Sequence, residues 1–370
     1  MKTLRTAAAL ATAAVLTAGA MRAQDRPQIA NSQVETRAVQ GGLEATVRGM
    51  VASQTVPVWI GYSVPMIESR EGRVRTMCCG SWVNGMNCGP CNLESQTGTN
   101  MDESDRARVS GGVVHLEGSQ TMYVLLRAAE HRIGRVRAFT EDCQIDAGGL
   151  RVVWLADVKP AESVALLAGI VTGANFDESD ARNAAMGALS AIAMHGDPAA
   201  DRALASFTET SRPEKLRSQA AFWLGNARGK AGLEVLKQMA KNDPSEKVRE
   251  QVTFALSQSA EPGALEELIR MAKEDSSARV RGQGLFWLAQ KAGVKAAGAI
   301  TDAIENDPDT EVKKRAVFAL SQLPKGEGVP KLIEVAKTNR NPEVRKQAMF
   351  WLGQSKDPRA LEFFTQILTH

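Results

Sequence analysis

The stretch "LRSQAAFWLG" begins at Leu216, and four more copies follow it: "VREQVTFALS" from Val248, "VRGQGLFWLA" from Val280, "VKKRAVFALS" from Val312 and "VRKQAMFWLG" from Val344. Each start lies 32 residues after the last, and a weaker copy, "ARNAAMGALS" from Ala181, precedes the first by 35. A fixed period near 30 residues marks stacked units that cannot bury an apolar side alone. With the aliphatic start as position zero, positions zero, four, seven and eight share one side of a helix. Five residues ahead of each start sit Ser211, Asp243, Asp275, Asp307 and Asn339, all good N-cap types, and Pro244 and Pro308 directly follow two of them. A second helix follows in each unit, from Gly232, Ala264, Ala296, Val329 and Ala360. The pattern predicts six helix pairs from about Ser179, with Ala161 to Thr172 as a capping helix.

Residues 179–370 resemble HEAT repeats of the short bacterial type, also called the phycobilisome-lyase-like type. The resemblance implies an α-solenoid. It also implies a ladder between neighbouring repeats, built from an Asp at the start of the first helix and an Arg six residues later. The matching residues are Asp243 with Arg249 and Asp275 with Arg281, while Asp307 with Lys313 keeps the charge. Ser211 with Arg217 and Asn339 with Arg345 keep only the Arg, which leaves the ladder's ends open. Some HEAT-repeat proteins are di-iron hydroxylases that need His-Glu pairs as ligands. The four histidines here, His115, His131, His195 and His370, are never followed by Glu, which argues against that activity.

Two further positions stand out. Position seven alternates Trp223, Ala255, Trp287, Ala319, Trp351, so large and small residues interleave along the stack, as void-free packing favours. Position six is Phe in all five copies: Phe222, Phe254, Phe286, Phe318 and Phe350. It points well away from the buried side, so each ring either packs on the position-five residue of the next repeat or joins an apolar ridge that docks a partner. On the second helices the outward positions vary, reading Gln238, Arg270, Asp302, Glu334, Gln366. A solenoid presents such a face as an extended concave surface, where partner selection sits.

From about Ile29 to Val158 the grammar is that of strands. Leu43, Ala45, Val47, Gly49 and Val51 alternate with polar or larger residues, which predicts a half-buried strand. Short β-prone runs follow at Val56 to Ile67, Gly111 to Gly118, Thr121 to Ala128, Arg135 to Thr140 and Leu150 to Leu155. Asn92 to Ser110 has no apolar period and reads as a long loop. The expected fold is therefore two domains, a β-rich module (all-β or α+β) at 29–158 and an all-α solenoid at 160–370.

All five cysteines, Cys78, Cys79, Cys88, Cys91 and Cys143, fall in the first module. "CGPC" at Cys88 to Cys91 has the form of a thioredoxin active site, but that chemistry needs a following helix whose N-terminus stabilises the thiolate. The residues after Cys91 are "NLESQTGTNM", a poor helix. Zinc needs a second C-x-x-C knuckle, and the adjacent Cys78 and Cys79 do not make one. Structural disulfides are the favoured reading. Neighbouring cysteines strain a mutual bond, so Cys78 and Cys79 should reach different partners, and Cys143 could tie the first hairpin to the later sheet. The alternative is an envelope thiol–disulfide enzyme using Cys88 and Cys91.

The N-terminus decides the expected compartment. Lys2 and Arg5 precede an apolar run from Ala7 to Ala20, with small residues at Ala18, Ala20 and Ala23, the layout of a secretory signal peptide at 1–23. No later run is long enough to span a bilayer. A net charge of +3 without a dense Lys/Arg block gives no basic stripe for nucleic acid. No P-loop, GxSxG or HExxH motif is present, so neither a catalytic constellation, a metal nor a cofactor is implied. The reading is an exported, non-catalytic scaffold, periplasmic or secreted, that binds a protein partner the sequence does not identify. N-terminal sequencing of the exported protein should give a first residue of Met21 or Gln24, for cleavage after Ala20 or Ala23; an intact Met1 in the exported fraction would exclude the cleavable signal.

Overall fold

The computed structural model describes residues 27–68, 77–78, 91–95, 120–141 and 143–369. The N-terminal region holds two sheets. Strands β1 (Ile29–Ala30), β2 (Val34–Ala38), β3 (Val58–Pro65), β4 (Cys91–Asn92), β5 (Thr121–Ala129), β6 (Arg132–Thr140), β7 (Ile145–Asp146) and β8 (Val152–Ala156) form a five-stranded sheet in the order β2-β8-β3-β5-β6 and a three-stranded one in the order β1-β7-β4. The β3–β5–β6 meander is antiparallel, whereas β2 and β3 both flank β8 in parallel. The segment Gly111 to Gly118, read as a strand, lies outside the described residues.

One reading is corrected. Leu43–Ala52 is a helix, α1, not a strand. Leu43, Val47 and Val51 are its buried residues, spaced by four, so an alternation of period two concealed a helical stripe. Gly42, at φ 96°, turns the chain into this helix, and the Glu162 carboxylate accepts from the first helical N–H, on Leu43, at 2.8 Å. The module is therefore α+β.

Strand β3 is buried on both faces, which explains its near-continuous apolar run. Val58, Ile60, Tyr62 and Val64 join the larger core with α1 and with α2 (Pro160–Thr172). Trp59 joins a smaller core with Cys91, Leu93, Leu125, Phe139, Cys143 and Ile145.

Helices then run in pairs: α3 (Ser179–Met194) with α4 (Ala199–Ser206), α5 (Glu214–Ala227) with α6 (Gly229–Asn242), α7 (Glu246–Gln258) with α8 (Pro262–Glu274), α9 (Ala278–Ala292) with α10 (Ala297–Asn306), α11 (Thr310–Ser321) with α12 (Val329–Thr338) and α13 (Pro342–Gln354) with α14 (Pro358–Leu368). No helix among the described residues is long and apolar enough to cross a membrane. The helix starts lie later than the acidic positions suggested. Ser245, Ser277, Asp309 and Asn341 are the N-caps, and each side chain accepts from a first-turn N–H. The residues two positions earlier, Asp243, Asp275, Asp307 and Asn339, accept from the caps' own N–H groups, which frees the rest of each side chain for other bonds.

The sheet and the solenoid share one continuous apolar core. Helix α3 lies so close on β6 that a Cβ at Gly187 would come within 2.0 Å of the Val136 carbonyl oxygen. The end of β3 continues as main-chain pairing onto the α3–α4 turn: Ile67 N–H donates to Met194 O at 2.8 Å and Gly196 N–H to Pro65 O at 2.8 Å. His195 sits in that turn and is fully buried. Its Nδ1 accepts from Asp197 N–H at 3.1 Å, and its Nε2 has no hydrogen-bond partner. Burial foremost, with the nearby Arg228 guanidinium adding to it, pushes its pKa down to about 4, against a smaller upward pull from Asp197. A folded value below the unfolded 6.5 means that this stability is complete above pH 6.5 and is lost as pH falls towards 4. The fall from pH 7.5 to 4.5 should cost about 2–3 kcal/mol through this group. Urea unfolding at both pH values should show that difference shrinking by this amount in His195→Gln; an unchanged difference would mean that His195 does not titrate on unfolding.

Candidate functional surface

The repeats are joined through their turns. Arg217 places Nε 2.8 Å from Asp243 Oδ2 and Nη2 3.0 Å from Oδ1. Arg249 grips Asp275 in the same way at 2.8 and 3.1 Å, and Arg281 grips Asp307 at 2.8 and 3.0 Å. Each Arg also donates Nη1 to a carbonyl in its own turn: Arg212 O, Asp243 O and Asp275 O respectively. The bidentate fork suits a planar guanidinium, and burial of both partners makes the geometry strict. Hydrogen bonds to the carboxylates raise the pKa of all three guanidiniums above their ordinary value.

The ladder thus runs from each Arg to the Asp 26 residues on. Arg217 has a full rung although Ser211 replaces an acid, because its acid is Asp243 in the next repeat. The other end does break. Lys313 donates to Glu305 O at 2.8 Å, and Asn339, where the next carboxylate would stand, donates to Glu305 Oε1 at 3.4 Å. Arg345 keeps its turn bonds, to Asn339 O at 2.8 Å and to Arg340 O at 3.2 Å.

The five positions on the second helices lie at the surface and are engaged close to home. Gln238 accepts from Asn242, and Arg270 pairs with Glu267 and Glu274. Asp302 accepts from Asn306 and pairs with Lys273 of α8 at 3.2 Å. Glu334 pairs with Lys331, and Gln366 donates to Glu362. One of these links, Lys273–Asp302, crosses between repeats.

The aromatic positions of the first helices behave differently. Each Phe meets other rings. Trp223 packs edge-on to Phe222, which stacks on Phe254 at 6.1 Å; Phe254 tilts against Trp287 at 4.8 Å. Trp287 meets Phe286, which stacks on Phe318 at 6.1 Å; Phe318 tilts against Trp351, and Trp351 meets Phe350. Eight rings therefore form one unbroken ribbon across five first helices. They are half-buried except Phe350, which is 54% exposed. The Trp positions make the ribbon continuous, since Trp287 and Trp351 each reach the preceding repeat's Phe. Single-position patterning could not show this, because the ring contacts alternate within and between repeats.

Of the cysteines, Cys78 is bonded to Cys143 across 65 residues, with Cα atoms 5.4 Å apart. Cys78 is thus not a zinc ligand in this form. Cys91 is buried in β4, beside β7. Cys79 and Cys88 lie outside the described residues. Beyond Cys91 the chain turns at Glu94, whose carboxylate accepts from Trp59 Nε1 at 2.9 Å and from Arg127 Nε at 2.9 and 3.0 Å.

A model of HEAT repeats matches residues 202–288 and 298–370. Residues 202–370 are HEAT repeats. A comparison with curated protein sequences finds no match. Solved structures show a partial likeness to this chain. Human deoxyhypusine hydroxylase in complex with glycerol is 17% identical, covering 56% of this chain and 90% of its own, with a TM-score of 0.30. The CpcE–CpcF complex of phycocyanin lyase from Nostoc sp. PCC7120 is 21% identical, covering 43% and 100%, with a TM-score of 0.32. A Kap95p structure concerned with RanGDP is 18% identical, covering 57% and 32%, with a TM-score of 0.38. None of these likenesses bears on function.

The HEAT ladder sets a stability test. Asp275→Ala leaves the Arg249 guanidinium largely buried without its carboxylate and should cost about 3 kcal/mol or more by urea unfolding. Asn339→Asp alone should destabilise, whereas Asn339→Asp with Lys313→Arg should recover that loss by building a fourth rung. Equal stability of the single and double variants would show that the rung does not form.

Proposed function

We propose that this chain is a non-catalytic protein-binding scaffold that acts after export, in the cell envelope or outside the cell. The repeat architecture supports the binding role, and the signal-like N-terminus supports export. The observation that carries the reading is the aromatic ribbon. A solenoid that needed these rings only for cohesion would bury them, yet all five Phe side chains keep solvent access along one face. The second-helix row is a weaker candidate, since its charges are already paired with close neighbours.

The thiol–disulfide reading gains no support. A nucleophilic thiol needs access and a helix N-terminus or a cation beside it. Cys88, which would carry the nucleophilic thiolate, lies outside the described residues, and the residues after Cys91 run into a turn and not a helix.

Photo-crosslinking in envelope extract tests the scaffold role. A benzophenone side chain at Gln283 on the first-helix face should give a discrete adduct. The same group at Arg270 on the second-helix face should give less, and charge reversal at Arg270, Asp302 and Glu334 should leave the Gln283 adduct unchanged. Adducts confined to positions within 29–158 would move the docking site off the solenoid.

A further inference from the structure

Within the stack, each repeat is covered by the next through the same few positions. At position one, Arg217, Arg249 and Arg281 use Nε and Nη2 to grip the next repeat's Asp. At position five, Ala221, Thr253, Leu285 and Val317 are all buried. At position six, Phe222 and Phe286 stack on the next repeat's Phe, while Phe254 and Phe318 tilt against its Trp. At position nine, Gly225 lets the next helix come so close that a Cβ there would lie 2.2 Å from Ala255 O.

The last pair, α13 and α14, carries the same half of that interface, and nothing among the described residues covers it. Arg345 makes the turn bond of the ladder arginines, from Nη1 to the carbonyl six residues back. Its Nε and Nη2, the atoms that hold a carboxylate in the three rungs, have no hydrogen bond among the described residues. Met349 is only half-buried, and Phe350 has no following ring to meet. A Cβ at Gly353, the counterpart of Gly225, would meet nothing within 4 Å. The second helix agrees. Leu361 is 70% exposed, whereas Leu233 and Val329 at the same repeat position are buried. Leu368 is 83% exposed, whereas Ala240, Ala272 and Ile304 are buried. A terminal repeat that closes a solenoid has a polar outer face, and this one is apolar with two open guanidinium donors.

The molecule itself shows what fits such a face. Three times it is completed by a helix pair that carries a carboxylate in the turn before its first helix, Asp243, Asp275 or Asp307. Each of these acids is followed eleven residues later by an aromatic ring: Phe254, Phe286 and Phe318. A second copy of this chain does not offer that half. Its three turn carboxylates are each held by their own Arg, and its leading helix, α3, packs on β6 and α2. We infer that the end of the solenoid binds a helix pair of another polypeptide, with a carboxylate in its leading turn on Arg345 and an aromatic ring against Phe350. This builds on the scaffold reading and adds the end of the stack to its side as a docking surface.

Fluorescence anisotropy with the full chain tests this. The probe is a labelled synthetic peptide with the sequence of residues 242–274, the α7–α8 pair that covers α5 and α6 in this molecule. It should bind saturably, and the same peptide with Asp243→Asn should bind about tenfold more weakly. Arg345→Gln in the chain should erase the difference between the two peptides. Leu361→Glu with Leu368→Glu should weaken binding about tenfold or more, with an unchanged thermal melt because both side chains are exposed. Absence of saturation, a peptide difference that survives Arg345→Gln, or indifference to the paired Leu substitutions would each overturn the proposal. So would a dimer of the chain, seen by sedimentation equilibrium, that the paired Leu substitutions dissolve, since it would give this face to a second copy. A protein adduct at Gln283 without peptide binding would leave the scaffold role standing and remove this partner class.

Discussion

A buried carboxylate in each inter-repeat turn is the constraint on which the solenoid depends. Asp243, Asp275 and Asp307 each receive the guanidinium fork of the preceding repeat and the N–H of the following helix cap. Such a group tolerates no slippage, because a displaced partner leaves a desolvated charge behind. The 32-residue period follows from this. An insertion of one residue between Arg249 and Asp275 would rotate one partner off its helix face. Apolar burial supplies most of the cohesion, and the rungs supply register.

Register, in turn, makes the surface. Rings 32 residues apart stack only when successive first helices keep the same height and rotation. The Phe–Trp ribbon is a consequence of the ladder on the other side of the helices. Where the ladder ends, at Lys313 and Asn339, the ribbon continues through Trp351 to Phe350, the most exposed of its Phe rings. The last step of the stack therefore lacks a rung and rests on the shared apolar core, the Asn341–Thr310 hydrogen bond and the rings.

The β-rich module is not a passive appendage. Its meander joins the first helix pair through shared core, through main-chain bonds at the end of β3 and through Tyr62, whose hydroxyl accepts from buried Ser163 of α2 at 3.1 Å. Arg228, from the α5–α6 turn, donates to Ala193 O and His195 O while its Nε pairs with Asp201 at 2.6 Å. One residue of the second repeat thereby seals the C-terminal carbonyls of α3 where the sheet meets the solenoid. Burial of the neutral His195 at that seam places the pH-sensitive group where both regions meet.

By itself the sequence determined the helical pairs, their number and their period, because a repeated apolar stripe is a local property copied many times. It also identified the ladder residues and the row of Phe, and strands β3, β5, β6 and β8 were legible in their apolar runs. It misread Leu43–Ala52, where residues four apart also satisfied an alternating pattern. It placed the N-caps two residues early, since Asp243 and its equivalents suit both a cap and a turn. Tertiary structure alone decided that each Arg meets the Asp 26 residues on, so that Ser211 removes no rung while Asn339 does, because that pairing depends on how neighbouring repeats sit. It also decided that Cys78 bonds Cys143 and that the rings form one ribbon. Those contacts depend on the distance between elements, which no period along a single helix encodes.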